Sequence, residues 1–165
     1  SPAVLKRLRL LNSSVLEALR LCSSSMVVRQ VMRSFTLELS TGERHALREG
    51  DRVCLYPEVS HSDPEIFAEP ERYRFDRFAG ADGPPQFFKR GKRATLALMP
   101  FGSGVSMCPG RFLASNEIVQ VVANVLQRLD IELLPHETPV VDRRRAGLGV
   151  LPPRSDPPFR YKTRA

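Results

Sequence analysis

Phe101-Gly102-Ser103-Gly104-Val105-Ser106-Met107-Cys108-Pro109-Gly110-Arg111 is the stretch that decides how this chain is read. It is a glycine-rich loop that brings a cysteine to the start of a long apolar segment, Phe112 to Leu129, whose pattern predicts a helix. Gly102, Gly104 and Gly110 have no Cβ, so the loop can turn sharply and a flat group can come close to the backbone. The free amides and dipole at a helix N-terminus favour negative charge, which suits a thiolate. A lone cysteine is as a rule a buried, inert side chain, so the weight rests on the pattern around it.

Length and composition bound the answer. The 165 residues suffice for one domain with its own core. No apolar run reaches the roughly 18 residues of a membrane-spanning helix, and no charged-then-apolar leader is visible. Cys22, Cys54 and Cys108 are odd in number and lack paired spacing, which argues against a disulfide framework and a zinc site; a reducing, cytosol-facing environment fits better. The net charge is +7, with basic clusters at Lys89-Arg90-Gly91-Lys92-Arg93, at Arg111 and at Arg143-Arg144-Arg145. These are not interleaved with aromatics and no nucleic-acid motif is present, so nucleic acid is not expected; an acidic protein partner is the better functional reading, beside the alternative that any single cluster is simply a solvated basic surface.

Working outward, Leu5 to Leu21 carries apolar residues at helical spacing and contains Glu17-Ala18-Leu19-Arg20. Met26–Val28, Phe35–Leu39, Ala46–Leu47 and Arg52–Tyr56 read as strands of one small, curled antiparallel sheet, with a turn at Thr41-Gly42. Cys54 alternates with polar neighbours and is expected in the core. Arg29 is expected either to face a ligand space or to stand exposed. Residues 61–78 mix Pro, aromatics and charges without either period and predict an irregular, packed segment; Gly80 to Arg93 predicts a surface loop. Ile118 to Leu129 is apolar on more than one face and predicts a helix buried on several sides. Ile131–Leu134 reads as a strand, and 147–153 with 159–162 as a terminal pair of strands.

The loop, read as Phe-x-x-Gly-x-x-x-Cys-x-Gly at Phe101, Gly104, Cys108 and Gly110, resembles the haem-binding loop of cytochrome P-450 enzymes. The Asp-Pro-x-x-Phe element at Asp63 and the arginine-aromatic pair at Arg77-Phe78 resemble the meander of the same family, and Glu-x-x-Arg at Glu17 and Arg20 its partner helix. Arg145–Pro153, Leu55-Tyr56-Pro57 and Met99–Gly104 are most similar to the sterol 7α-hydroxylase branch, related to sterol 12α-hydroxylase and prostacyclin synthase. Two features depart from the family pattern. Phe75 and Asp76 stand where Pro and Glu are usual. Ser106 stands where a basic residue commonly pairs with a haem propionate, which leaves Arg29 as the better candidate for that contact.

The resemblance implies a mainly α fold with small antiparallel β-sheets, the C-terminal part of the cytochrome P-450 fold. Its parts would be the Glu-x-x-Arg helix (1–21), a small sheet (26–60), the meander and surface loop (61–100), the cysteine loop (101–111), a buried helix beneath the haem (112–130) and C-terminal strands (131–165), with the turn near Gly147 reaching into the substrate cavity. It implies that Cys108 is the thiolate ligand of a haem iron, with Phe101 packed on the sulfur side and amides near Gly110 bonded to the sulfur. Glu17, Arg20 and Arg77 would form a buried structural cluster, since guanidiniums fork onto a carboxylate and buried charges must be paired. His61 is expected to cap or pack rather than to bind metal. The implied activity is hydroxylation of a sterol or related lipid by a monooxygenase fed by an NADPH-dependent reductase. That reductase would dock on the basic face around Lys89–Arg93 and Arg111. The implied setting is the cytosolic face of the endoplasmic reticulum membrane, attached through a segment upstream of Ser1. The oxygen-activating helix would also lie upstream, so this piece alone is expected to be inactive and to expose apolar area. Two alternatives are a haem-thiolate isomerase resembling prostacyclin synthase, and a non-catalytic haem-binding fragment, because Cys108-Pro109 also resembles the loose cysteine-proline haem sites of sensor proteins.

Overall fold

The computed structural model describes residues 2–80, 83–134, 139–146 and 148–164. The first apolar stretch folds as two helices, α1 (Pro2–Arg7) and α2 (Arg9–Cys22), because Leu8 takes the non-helical angles φ −80°, ψ 78°. Helix α2 buries Ser13, Val15, Glu17 and Arg20, so its inward face is more polar than the leucine spacing suggests.

Helix α2 runs directly into β1 (Ser23–Ser25), followed by β2 (Val27–Gln30), β3 (Phe35–Glu38), β4 (Arg44–Leu47) and β5 (Arg52–Leu55). These do not form the single sheet expected. β2 pairs antiparallel with β5, setting Val28 opposite Cys54 and Arg29 opposite Val53, while β3 and β4 make a separate hairpin. Gly42 in that turn has φ 87°, which glycine tolerates best. Cys54 is exposed, not core. Among the described residues no other helix or strand packs extensively on the two-stranded β2–β5 ladder, so alternation in the sequence does not translate into burial.

Helix α3 (Pro57–His61) leads into the irregular meander, and the short ladder β6 (Phe88–Lys89) with β7 (Lys92–Arg93) closes the surface loop. Helix α4 (Arg111–Arg128) follows the cysteine loop. Its expected burial on several sides is not found: Val119 and Ala123 are buried, whereas Phe112, Leu113, Val121 and Leu126 are exposed. The described elements that pack on α4 are α1, α2 and the strand after it, and they cover one side only. The terminal strands also differ from expectation. β8 (Leu129–Leu133) pairs with β10 (Phe159–Thr163), and β9 (Leu148–Val150) crosses to pair with β1. Gly147, in the expected cavity turn, lies outside the described residues.

The apolar core is small: Val15, Val31, Phe67, Ala97, Val119, Ala123 and Leu151. The largest fully buried side chains are Arg20, Phe67, His61 and Glu17, so the centre is charged. Arg20 forks onto Glu17 through Nε (2.8 Å) and Nη2 (2.9 Å). Arg77 Nε donates to Glu17 Oε1 at 2.9 Å, and the Arg74 amide to the same oxygen at 3.1 Å. The remaining Arg77 donors reach the carbonyls of Ala68, Glu69 and Arg72. The Phe67 ring lies 5.1 Å from the Arg20 guanidinium carbon and packs on Phe87 and Phe78.

Burial by itself would raise the Glu17 carboxyl, but the bonds from Arg20 and Arg77 outweigh it and hold it below its ordinary 4.5. A depressed folded value means stabilisation that is complete above the unfolded value and lost as pH falls through the folded one. Glu17→Gln leaves two buried guanidiniums without a counter-charge and is expected to destabilise by about 3–5 kcal/mol at neutral pH. The deficit should shrink as pH falls through the carboxylate range. Urea unfolding of both forms across that range checks the magnitude and the sign.

Candidate functional site

The cysteine loop is held mainly by its own backbone. The Gly102 amide donates to the Met99 carbonyl (3.1 Å), the Cys108 amide to Phe101 (3.0 Å) and the Met107 amide to Gly104 (3.1 Å). A single 3₁₀ turn, Gly104–Ser106, sits inside it. Gly102 (φ 75°) and Gly104 (φ 68°) occupy the left-handed region, so both turns use glycine for a conformational reason. Gly110 differs: its φ is −78° and a Cβ there would meet Cys108 Sγ at an ordinary 3.8 Å.

Cys108 is exposed, three residues before α4 begins, and its carbonyl accepts from Arg111 Nη1 at 3.0 Å. Cys108, Phe101, Gly102 and Ser106 line one depression of about 360 Å³ with Val27, Val28 and Arg29 of β2. The sequence-selected residues Phe101, Cys108 and Arg29 therefore meet across the β2 edge. Arg29 is half-buried, with Nη1 on the Val28 carbonyl (2.9 Å) and Nη2 at 3.5 Å from the Ser103 carbonyl. Gly104 and Gly110 shape the loop without lining this space.

The donor set fits a haem. Among the described residues no three His, Cys, Asp or Glu side chains converge on one point. The described residues that line the depression with Cys108 include no His, Asp or Glu, a one-thiolate donor set that suits a haem iron, whose other ligands come with the group. The thiol is free and open to the depression, Val27 and Phe101 give apolar walls, and Arg29 is the cation at hand for a carboxylate.

His61 is fully buried beside this loop's base. Its Nε2 accepts from the Met99 amide at 2.9 Å and its carbonyl accepts from Arg20 Nη1 at 2.6 Å. Burial first, then the Arg20 guanidinium, push His61 down from 6.5 to about 4, against an opposing pull from Glu58. It packs, as expected from the sequence.

A second polar cluster had no signal in the sequence. Ser24, Tyr56 and Arg143 all converge on the Glu58 carboxylate, at 2.6 Å for Ser24 and 2.7 Å for Tyr56. Burial would raise Glu58, but these three donors hold it below 4.5. Four residues from three separated stretches share no local spacing, so only the fold reveals them. On the basic face, Lys89 pairs with Asp63 at 2.5 Å and Arg90 with Glu65 at 3.6 Å. The Arg111 guanidinium stacks 4.2 Å from the Phe112 ring centre.

Residues 3–158 match the cytochrome P450 family model, and the chain belongs to that family. It is 40% identical over 156 residues to cytochrome P450 7A1 of Sus scrofa and 41% over 157 to cytochrome P450 7B1 of Mus musculus. It is 40% identical over 157 to the 7-alpha-hydroxycholest-4-en-3-one 12-alpha-hydroxylase of Homo sapiens. These alignments cover 92%, 94% and 92% of this chain and 31% of each relative, so the chain spans about a third of their length. The fold matches a cytochrome P450DA haem domain with TM-score 0.74 at 21% identity, over all of this chain and 33% of that one. It matches a retinoic-acid-bound cyanobacterial cytochrome P450 with TM-score 0.73 at 22% identity, over 96% of this chain and 33% of that one. The family implies a cysteine-ligated haem iron.

Two predictions follow from the loop and its anchor. Gly104→Ala forces a left-handed alanine and is expected to cost about 1–2 kcal/mol of loop stability. Gly110→Ala should be near neutral; denaturant midpoints compare the two. For His61 the folded value lies below the unfolded one, so stability is complete above 6.5 and declines as pH drops towards about 4. His61→Phe should remove that part of the pH dependence, read from unfolding midpoints across the window.

Proposed function

We propose that this chain works as the haem-binding portion of a haem-thiolate monooxygenase that hydroxylates a sterol or related lipid. The observation that carries the reading is the exposed Cys108 thiol, which shares one depression with the half-buried Arg29 beneath an apolar edge. When bound, the haem would supply the oxygen activation, its thiolate ligand pushing electron density toward O–O cleavage. The residues of this chain would hold it: Cys108 would ligate, Phe101 would wall the sulfur side and Arg29 would pair with a carboxylate of the group, while Gly104 gives the loop its turn. Glu17, Arg20 and Arg77 act as structural support and take no part in the chemistry.

The sterol substrate class is supported by the names of the similar hydroxylases. Electron delivery is assigned to an NADPH-dependent reductase on the basic face around Lys89–Arg93. Among the described residues Lys92 and Arg93 form no ion pair, whereas Lys89, Arg90 and Arg111 are partly engaged with this chain. No helix among the described residues is long and apolar enough to cross a membrane. Attachment to the cytosolic face of the endoplasmic reticulum is assigned on the similarity to the sterol hydroxylases.

The test is the absorption spectrum of the full-length protein with haem, reduced and exposed to carbon monoxide. A strongly red-shifted Soret band, lost in Cys108→Ser, is expected; a wild-type band at the position of nitrogen-ligated or free haem overturns the reading. A water-soluble thiol reagent gives a parallel check. It should label exposed Cys54 with or without haem but Cys108 only when haem is removed. Cys22, half-buried with its thiol pushed up by burial, should label slowly in both.

A further inference from the structure

We propose that His61 is a positioning residue that transmits the fixed geometry of the buried ion cluster to the cysteine loop. Its consequence for haem ligation rests on the reading above; its mechanical part does not.

The path is continuous in polar contacts. Glu17 accepts from Arg20 Nε at 2.8 Å, and Arg20 Nη1 donates to the His61 carbonyl at 2.6 Å. The His61 ring then accepts from the Met99 amide at 2.9 Å through Nε2. The Met99 carbonyl takes the Gly102 amide, and the Phe101 carbonyl takes the Cys108 amide. His61 thus uses its main chain toward the cluster and its side chain toward the loop, bridging residues 38 apart in sequence. The ring is fully buried, so its rotamer is fixed by its surroundings.

The loop needs such an anchor. It contains two left-handed glycines, Gly104 has no neighbour within 4 Å of where a Cβ would stand, and Val105, Ser106 and Cys108 are exposed. Toward β2 the loop has one long hydrogen bond, Arg29 Nη2 to the Ser103 carbonyl at 3.5 Å, and the approach of Gly102 to Val27; the His61 bond ties its other end, at Met99. A second observation separates anchoring from space-filling. With Nε2 accepting, the ring proton is on Nδ1, and buried Nδ1 has no hydrogen-bond partner among the described residues. A buried donor without a partner is unfavourable, and an apolar ring would fill the same space without that penalty. The bond to Met99 is what a phenyl ring could not supply.

The experiment compares wild type, His61→Phe, His61→Gln and Leu151→Ala in the full-length protein. Phe keeps a flat ring without an acceptor. Gln offers an amide oxygen near the Nε2 position. Leu151→Ala truncates a buried core residue outside the path and serves as a control for general destabilisation. Amide hydrogen exchange is read first, on haem-free protein. In His61→Phe the Met99, Gly102 and Cys108 amides are expected to exchange on the order of tenfold faster than in wild type, with α4 amides unchanged. Gln should restore slow exchange, and Leu151→Ala should not select these three. With haem and carbon monoxide, His61→Phe should move intensity from the red-shifted Soret band toward the nitrogen-ligated or free-haem position, and Gln should return it. Unchanged exchange in His61→Phe, or loosening that Leu151→Ala reproduces, overturns the proposal. If wild type lacks the red-shifted band while His61→Phe still loosens the loop, the haem-thiolate reading fails and the positioning role stands.

Discussion

The structure turns on one carboxylate. Glu17 has no contact with solvent, and it accepts two bonds from Arg20, one from Arg77 and one from the Arg74 amide. Removing three charges from water is costly, and it is repaid only where the geometry is good and further hydrogen bonds satisfy the charged groups. Here Oε1 accepts three bonds and Oε2 one, all between 2.8 and 3.1 Å. The donors that Glu17 does not take are spent on carbonyls. Arg77 reaches Ala68, Glu69 and Arg72, and Arg20 reaches His61. Past the end of α3 at His61, residues 62–78 make no ladder and no helix, so these side-chain donors satisfy backbone groups that secondary structure would otherwise satisfy.

The same economy explains why so charged a centre coexists with so little apolar core. Among the described residues, five separate two-stranded ladders bury little surface, and an isolated ladder of that size is marginal in water. Helix α4 shows one covered side and one bare side, with Phe112, Leu113, Val121 and Leu126 exposed. A chain that spans about a third of its relatives' length presents faces that further polypeptide can cover. The ion cluster, in contrast, is complete within this chain. Order in the meander and at the base of the cysteine loop thus depends less on apolar packing than on directed polar contacts.

For function, this divides the molecule into a rigid part and a presented part. The rigid part runs from Glu17 through Arg20, Arg77, Phe67 and His61. The presented part is the loop with its two left-handed glycines and an exposed thiol, set beside β2 and Arg29. A ligand-holding loop needs both: freedom for a flat group to approach, and a fixed origin from which the sulfur is aimed.

What could be read from the sequence alone was what is encoded in short spacing. The cysteine loop and the helix after it, the Glu17–Arg20 step, the turn at Gly42 and the irregular segment after Asp63 all lie within a few residues of their own signals. The resemblance to cytochrome P-450 also rests on such spacings. What the tertiary structure decided are relations between distant stretches. Alternation placed Cys54 inside, but burial depends on a covering layer that the β2–β5 ladder lacks among the described residues. Residues 148–150 pair with β1 rather than with the other terminal strand, and Arg143 meets Glu58 across 85 residues. His61 meets the Met99 amide across 38 residues. Periodicity reports which face of an element is apolar; it carries no information about which partner arrives there, because that choice is made by the packing of the whole chain.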